Sequence, residues 1–182
     1  DADEPLMLGY NAYKAHYGTW YSGKGLFYDC PLEHLYIGRS IEYIDYNDKV
    51  SDSDFFAYGY SAFACLRSSG LSVEIGPKLT RLSRYIFFGC GSLNNITINS
   101  SANITVIEDN AFKECTGLSE IIIPATVTSI GWNVFEGCTN LKKIVIPEKV
   151  TYIGSCTFNG CKRLESLIFE DGEKTLTLGY NT

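Results

Sequence analysis

The chain is short of the groups that usually carry proton transfer and metal ligation. Its 182 residues include two histidines and one methionine. His16 and His34 have no serine or cysteine at a spacing that would make a nucleophile–base pair, so no catalytic residue is expected. Seven cysteines are present, but none forms a C-x-x-C pair, so neither a metal site nor a cofactor is expected. Positive charge is also scarce. Fifteen Lys and Arg stand against 21 Asp and Glu, for a net charge of −6 and a pI near 4.9. That balance argues against nucleic acid and anionic membrane as partners, since both select basic surfaces. No apolar run approaches the roughly 18 residues of a spanning helix, so membrane insertion is not expected. The charged and apolar regions of a signal peptide are missing as well, which suggests a mature protein or an excised part of a longer one.

What the chain has in abundance is repetition. From Ile104 to Phe169 one sentence is written three times with a period of 23 residues. The first unit gives Ile104, Ile107, Phe112, Cys115, Leu118, Ile121 and Ile123. The second gives Val127, Ile130, Phe135, Cys138, Leu141, Ile144 and Ile146, and the third gives Val150, Ile153, Phe158, Cys161, Leu164, Leu167 and Phe169. A fixed period of 20 to 50 residues marks a solenoid, in which each coil buries its apolar face on its neighbours.

Degenerate copies extend the pattern upstream. The second apolar position recurs as Leu8, Ile44, Leu82, Ile107, Ile130, Ile153 and Leu178, and the Phe as Phe27, Phe63 and Phe87. Between these two landmarks the gap is 19 residues in the first two copies and five in the regular ones, so two inserts of 14 residues are expected on one side of the solenoid. The first insert is rich in Tyr and Gly and the second in Tyr and Asp. Leu6, Leu8, Gly9, Tyr10 and Asn11 reappear as Leu176, Leu178, Gly179, Tyr180 and Asn181, an offset of 170 residues. This match suggests one super-repeat of about seven coils within a longer array. Residues 1–182 thus read as a single repeat domain, regular over 104–169 and degenerate with insertions over 1–103.

In each coil Leu-x-x-Ile-x-Ile alternates inward and outward, as a strand with one buried face should. Val-Thr-x-Ile-Gly is a second, shorter extended piece, with Gly131 and Gly154 expected to permit the turn after it. The stretch through Phe and Gly-Cys has room for one turn of helix. Pro124 and Pro147 end the first strand at its rim. Cysteine at a fixed phase (Cys30, Cys65 loosely, Cys90, Cys115, Cys138, Cys161) implies a buried column of reduced thiols, where a small hydrophobe fits best. Cys156, aligned with Asn110 and Asn133, is expected to be a partly exposed free thiol.

The outward positions are candidate contact residues. One column reads Tyr36, Glu74, Thr97, Ile122, Val145, Ile168; the next reads His34, Ser72, Asn95, Glu120, Lys143, Ser166. Strands about 4.8 Å apart would join Ile122, Val145 and Ile168 into an aliphatic stripe, either a β-branched ladder stabilising the sheet or an apolar binding strip beside Glu120 and Lys143. Trp20 and Tyr21 in the first insert either anchor a partner or stack on a sugar, or fold back as local core. Asp45, Asp48, Asp52 and Asp54 crowd the second insert without the order of a calcium loop, and read as a solvated acidic stretch.

The unit Ile123-Pro124-Ala125-Thr126-Val127-Thr128-Ser129-Ile130-Gly131, followed by Val134-Phe135-Glu136-Gly137-Cys138 and Leu141, resembles the BspA-like class of leucine-rich repeats. Gly25 to Leu32 with Leu35-Tyr36-Ile37-Gly38-Arg39 looks like the same class. Where that class has a small-aromatic pair before the Phe, this chain has Asn133-Val134 and Cys156-Thr157. The resemblance implies a leucine-rich repeat solenoid of the α/β class, β-rich with short helical turns: a right-handed coil of six to seven repeats with a parallel sheet on one face. It further implies a secreted or cell-surface protein that binds partners and is not an enzyme. The expected partner is a host or matrix protein, with a glycan or a purely structural spacer role as alternatives. A reduced thiol column has a direct consequence: all seven thiols should react with a disulfide reagent after denaturation without reductant, and a lower count would reveal disulfides.

Overall fold

The chain winds into a solenoid whose consecutive coils stack backbone on backbone. The computed structural model describes residues 6–9, 13–14, 20–21, 27, 30–39, 41–44, 63 and 70–180, with side chains from 27, 30–39, 63 and 70–180. The strands are β1 (Leu6–Gly9), β2 (Tyr13–Lys14), β3 (Trp20–Tyr21), β4 (His34–Ile37), β5 (Ile41–Ile44), β6 (Leu71–Ile75) and β7 (Arg81–Leu82). They continue as β8 (Leu93–Ile98), β9 (Val106–Ile107), β10 (Ser129–Ile130), β11 (Lys143–Ile146), β12 (Tyr152–Ile153), β13 (Ser166–Phe169) and β14 (Thr177–Leu178).

Two parallel ladders run along the solenoid, one for each extended piece of the repeat. The shorter Val-Thr-x-Ile piece makes the longer ladder, five strands in the order β14-β12-β10-β9-β7. Its register pairs Leu82, Ile107, Ile130, Ile153 and Leu178 in succession, the residues aligned by the repeat. The Leu-x-x-Ile-x-Ile piece is interrupted. β4, β6 and β8 form one sheet and β11 and β13 another. Between them the segment around Ile121 keeps a single bridge, Glu120 to Lys143. The expected sheet along this face is therefore two blocks. The break falls at the coil enlarged by two residues between Ile96 and Ile104, where Asn99 accepts a turn bond from Ala102 and caps Ser101 through its side chain. Farther upstream β1 pairs in parallel with β5, setting Leu8 opposite Tyr43 and Gly9 opposite Ile44. That is one residue off the alignment of Leu8 with Ile44.

No helix forms among the described residues, contrary to the helical turn expected before each Cys. Two features exclude it. Each regular coil takes the left-handed backbone region twice, at Tyr85 and Gly89, Asn110 and Glu114, Asn133 and Gly137, Cys156 and Gly160. A right-handed helix cannot pass through such residues. Several amides that a helix would bond internally instead cross to the next coil: Phe87 to Ala111, Phe112 to Val134, Phe135 to Thr157, at 2.9–3.0 Å. Asn tolerates the left-handed region and Gly is unhindered there. The residue that replaces the class's small-aromatic pair, Thr157, is buried with its hydroxyl donating to Gly154 O at 2.6 Å.

Gly131 and Gly154 were expected to permit a turn, yet neither has positive φ. Their role is close approach. A Cβ on Gly131 would collide with Asp109 of the preceding coil, and one on Gly154 with the indole of Trp132.

The core repeats coil by coil. Phe27, Phe63, Phe87, Phe112, Phe135 and Phe158 form one column with ring centroids 5.4–6.0 Å apart. Phe27 lies directly on Phe63, so the 36-residue advance between them returns to the same phase. The thiols of Cys115, Cys138 and Cys161 each donate to the carbonyl of the Phe one coil back, at 3.1 Å. Among the described residues no two cysteines are joined in a disulfide; Cys65 lies outside them. Cys156 is half-buried, as expected of a residue off the column. Cys30 departs from expectation: it keeps the turn bond to Phe27 but is exposed. At the other end the inward residues of the last coil are partly open, with Leu167 39% exposed where its counterpart Ile144 is 1% exposed.

Burial raises the thiol pKa of Cys115 and Cys138 well above the ordinary 9.0, with neighbouring thiols adding to the effect. Burial also pushes Cys161 up, to about 11. Two tests follow from this core. Phe135→Ala removes a fully buried ring stacked on both sides and should cost about 3–5 kcal/mol in urea unfolding; a loss below about 1 kcal/mol would mean the column is not a principal contact. The thiols favour the protonated state when folded, so their contribution is full below pH 9 and declines as the pH rises past it. Each thiol still protonated in the fold weakens stability by about 1.4 kcal/mol per pH unit there. Unfolding free energy between pH 9 and 10.5 should therefore fall more steeply in the wild type than in Cys138→Ala. Equal slopes would contradict the buried column.

Candidate functional site

The outward residues of the interrupted ladder lie on a surface whose shape is set by the backbone beneath it. Ile121 and Ile123 are buried at 5% exposure, which forces Ile122 between them outward to 85%. Val145 pairs in register with Ile168, and Lys143 with Ser166. The Glu120 to Lys143 bridge keeps Ile122 in phase with Val145. Ile122, Val145 and Ile168 therefore lie in one aliphatic row, and Glu120, Lys143 and Ser166 in a parallel polar one. Opposite charges on adjacent strands make Glu120 and Lys143 compatible neighbours.

Tyr36 belongs to the other block. It pairs with Glu74, which pairs with Thr97, and His34 pairs with Ser72, which pairs with Asn95. The Tyr36 ring lies over Gly38 and Gly76: a Cβ on Gly38 would come within 2.8 Å of Cε1, and one on Gly76 within 2.5 Å of the hydroxyl. The ring is thereby folded along its own sheet yet remains 60% exposed. The ladder break separates Tyr36 from the aliphatic row, so the structure does not join all the candidate residues in one column.

Trp20 and Tyr21 form β3, which pairs antiparallel with β2: Lys14 opposite Trp20 and Tyr13 opposite Tyr21. The insert thus contains a hairpin with aromatic residues on both strands. Tyr10, His16, Tyr17 and the aspartates Asp45, Asp48, Asp52 and Asp54 lie outside the described residues.

Sequence periodicity passed over one feature on the second ladder. Trp132 follows β10 at the phase held by Asp109 one coil back and Ser155 one coil on. It is 56% exposed. Its backbone N–H donates to Asp109 Oδ1 at 2.8 Å, and its Nε1–H donates to Tyr152 Oη at 2.7 Å. The signal available in the sequence was a Trp at an outward phase where the neighbouring coils carry polar residues.

The chemistry on offer is that of contact. Among the described residues, no three His, Cys, Asp or Glu converge on a point that could hold a metal. His34 is exposed on β4, where its register partner is Ser72 and no thiol lies opposite it. The raised pKa values of Cys115 and Cys138 disfavour the thiolate that nucleophilic chemistry requires. A hollow bordered by Thr128, Glu148, Lys149, Asp171, Gly172, Glu173 and Lys174 mixes both signs of charge. No helix among the described residues is long and apolar enough to cross a membrane.

No curated protein sequence matches this chain. Among solved structures, a leucine rich cell surface protein from Faecalibacterium prausnitzii A2-165 is similar at 24% identity and a TM-score of 0.57, over 88% of this chain and 41% of that one. The leucine-rich repeat protein of T. pallidum matches at 24% identity and a TM-score of 0.48, over 66% of this chain and 64% of that one. The chain therefore spans less than two thirds of either. A family model, the BspA type leucine rich repeat region, matches residues 58–180 in six copies. With its stacked coils, its Phe and Cys columns and its paired parallel ladders, this chain belongs to the BspA-type leucine-rich repeat family.

Proposed function

We propose that this chain is a non-enzymatic, extracellular binding or adhesion module of a cell-surface repeat protein. Its partner is a protein of a host or of the surrounding matrix. The observation that carries the reading is Ile122, an aliphatic side chain 85% exposed on a stacked coil, in one row with Val145 and with Ile168, itself 41% exposed. Exposed aliphatic groups beside a polar rim are the usual anatomy of a protein-binding patch, apolar at the centre and hydrated at the edge. Glu120, Lys143 and Ser166 supply that rim here. Tyr36 offers a second anchor across the ladder break. The surface placement draws on the family and on the cell-surface protein that shares the fold.

Little ordering cost attaches to such a face. Ile122 is flanked by two buried residues and Val145 is held in a strand, so neither loses much freedom when covered. A few residues that become fully desolvated at the centre carry most of an interface's energy. The test is direct binding to immobilised extracellular-matrix proteins, fibronectin, fibrinogen and laminin among them. Ile122→Asp combined with Val145→Asp should weaken capture at least tenfold while leaving the urea midpoint close to that of the wild type. Capture unchanged by the double substitution would reject this face.

A further inference from the structure

We propose that Trp132 and Tyr180 form the stacking platform of a second binding site, one for a linear, uncharged polysaccharide. It lies along the five-stranded ladder and is independent of the face proposed for protein partners.

The indole of Trp132 is held in place from three sides. Its backbone N–H is fixed to Asp109 Oδ1, its Nε1–H to Tyr152 Oη, and its Cδ1 edge rests on Gly154, where any side chain would collide with it. A ring locked in this way has little rotamer freedom left to lose when a ligand covers it. Trp132 nevertheless remains 56% exposed.

Tyr180 occupies the same phase two coils further on. β12 pairs with β14, Tyr152 opposite Thr177 and Ile153 opposite Leu178, which brings Gly179 against Ser155 and sets Tyr180 two residues beyond the pair. It is 86% exposed. Ser155 lies between the two aromatic residues and is too small to obstruct a chain laid across both. Two coil spacings separate them by about 10 Å at the backbone. That interval suits alternate rings of an extended sugar chain.

The surroundings of Trp132 select the occupant. Asp109, Ser155 and the Tyr152 hydroxyl flank the ring, and all are polar. A protein partner needs a contiguous apolar centre, which those groups do not provide. A pyranose offers a C–H face to stack on an aromatic ring and a rim of hydroxyls to meet polar neighbours. The net charge of −6 disfavours acidic polysaccharides and leaves neutral ones as the class that fits.

The experiment titrates the whole chain with neutral β-linked hexasaccharides and disaccharides of glucose, mannose and N-acetylglucosamine, by calorimetry and by tryptophan fluorescence. At least one hexasaccharide should bind, and its disaccharide at least tenfold more weakly, because it cannot span both rings. Trp132→Ala should abolish binding. Trp132→Phe, which keeps an aromatic face without the Nε1 donor, should retain it within about tenfold. Tyr180→Ala removes a ring that is almost fully exposed and should lower hexasaccharide affinity to the disaccharide level; it carries the test if Trp132→Ala fails to fold. Trp20→Ala should change nothing. The proposal is overturned if no hexasaccharide binds, if Tyr180→Ala leaves affinity intact, or if only Trp20→Ala removes it, which would assign the sugar to the aromatic insert. None of these outcomes bears on capture of matrix proteins through Ile122 and Val145.

Discussion

Hydrogen bonds between successive coils place each residue beside its own copy, and this constraint governs the structure. Parallel neighbours lie about 4.8 Å apart, so a side chain must pack acceptably against the residue of the same phase. Apolar groups meet the condition by repeating. Phe87, Phe112 and Phe135 are all fully buried and stack ring on ring. Threonines meet it by bonding backward: Thr128 donates to the carbonyl of Thr105, and Thr151 to that of Thr128. Charges cannot repeat without repulsion, and here they alternate. Lys113 pairs with Glu136 at 2.6 Å, Arg81 with Glu108 and Arg84 with Asp109, each across one coil boundary. Such partly exposed pairs contribute little to stability individually. Their value lies in making a charged column compatible with the stack.

The same constraint explains what could be read from the sequence. Inward phases recur as residue types, so the period alone located the Phe column, the Cys column and the register of the five-stranded ladder. Backbone conformation leaves a weaker trace, because residues of different type can share it. Tyr85, Asn110, Asn133 and Cys156 all adopt left-handed geometry at one phase, and Gly89, Glu114, Gly137 and Gly160 do so at another. Only the asparagines and glycines signal it, and a helical turn was expected where none forms. Gly131 and Gly154 show a related ambiguity. A glycine after a strand suggests a turn, whereas here it makes room for an atom belonging to the coil before. The ladder break near Ile121 was hidden for another reason: two extra residues upstream alter the pairing without altering the alternation of Ile121, Ile122 and Ile123.

The candidate contact surface was legible to a similar degree. Alternation is a local property, and it correctly put Ile122 outward between two buried neighbours. Whether outward columns are continuous is a property of the pairing. The sequence therefore suggested one column from Tyr36 to Ile168 where the structure has two. The flattening of Tyr36 over Gly38 and Gly76 depends on a glycine two residues along and another from the next strand. Neither relation is visible in a single repeat.

Repetition and recognition are opposed in such a fold, and that opposition indicates where function resides. A residue that must match its copies cannot distinguish one coil from another, so the Phe and Cys columns carry architecture and little else. The phase after the five-stranded ladder behaves differently. It reads Arg84, Asp109, Trp132, Ser155, Tyr180, with no two residues alike. Its backbone is still held by inter-coil bonds, from Tyr85 N–H to Asp109, from Asn110 N–H to Trp132 and from Asn133 N–H to Ser155, at 2.9–3.2 Å. A rigid support with freely varied side chains is what a binding surface requires: geometry comes from the stack and chemistry from the variation. In the outward row through Ile122 the backbone supplies the same support with aliphatic content. Both surfaces thus derive from one rule, that a solenoid admits individuality where its side chains are not packed into the buried columns.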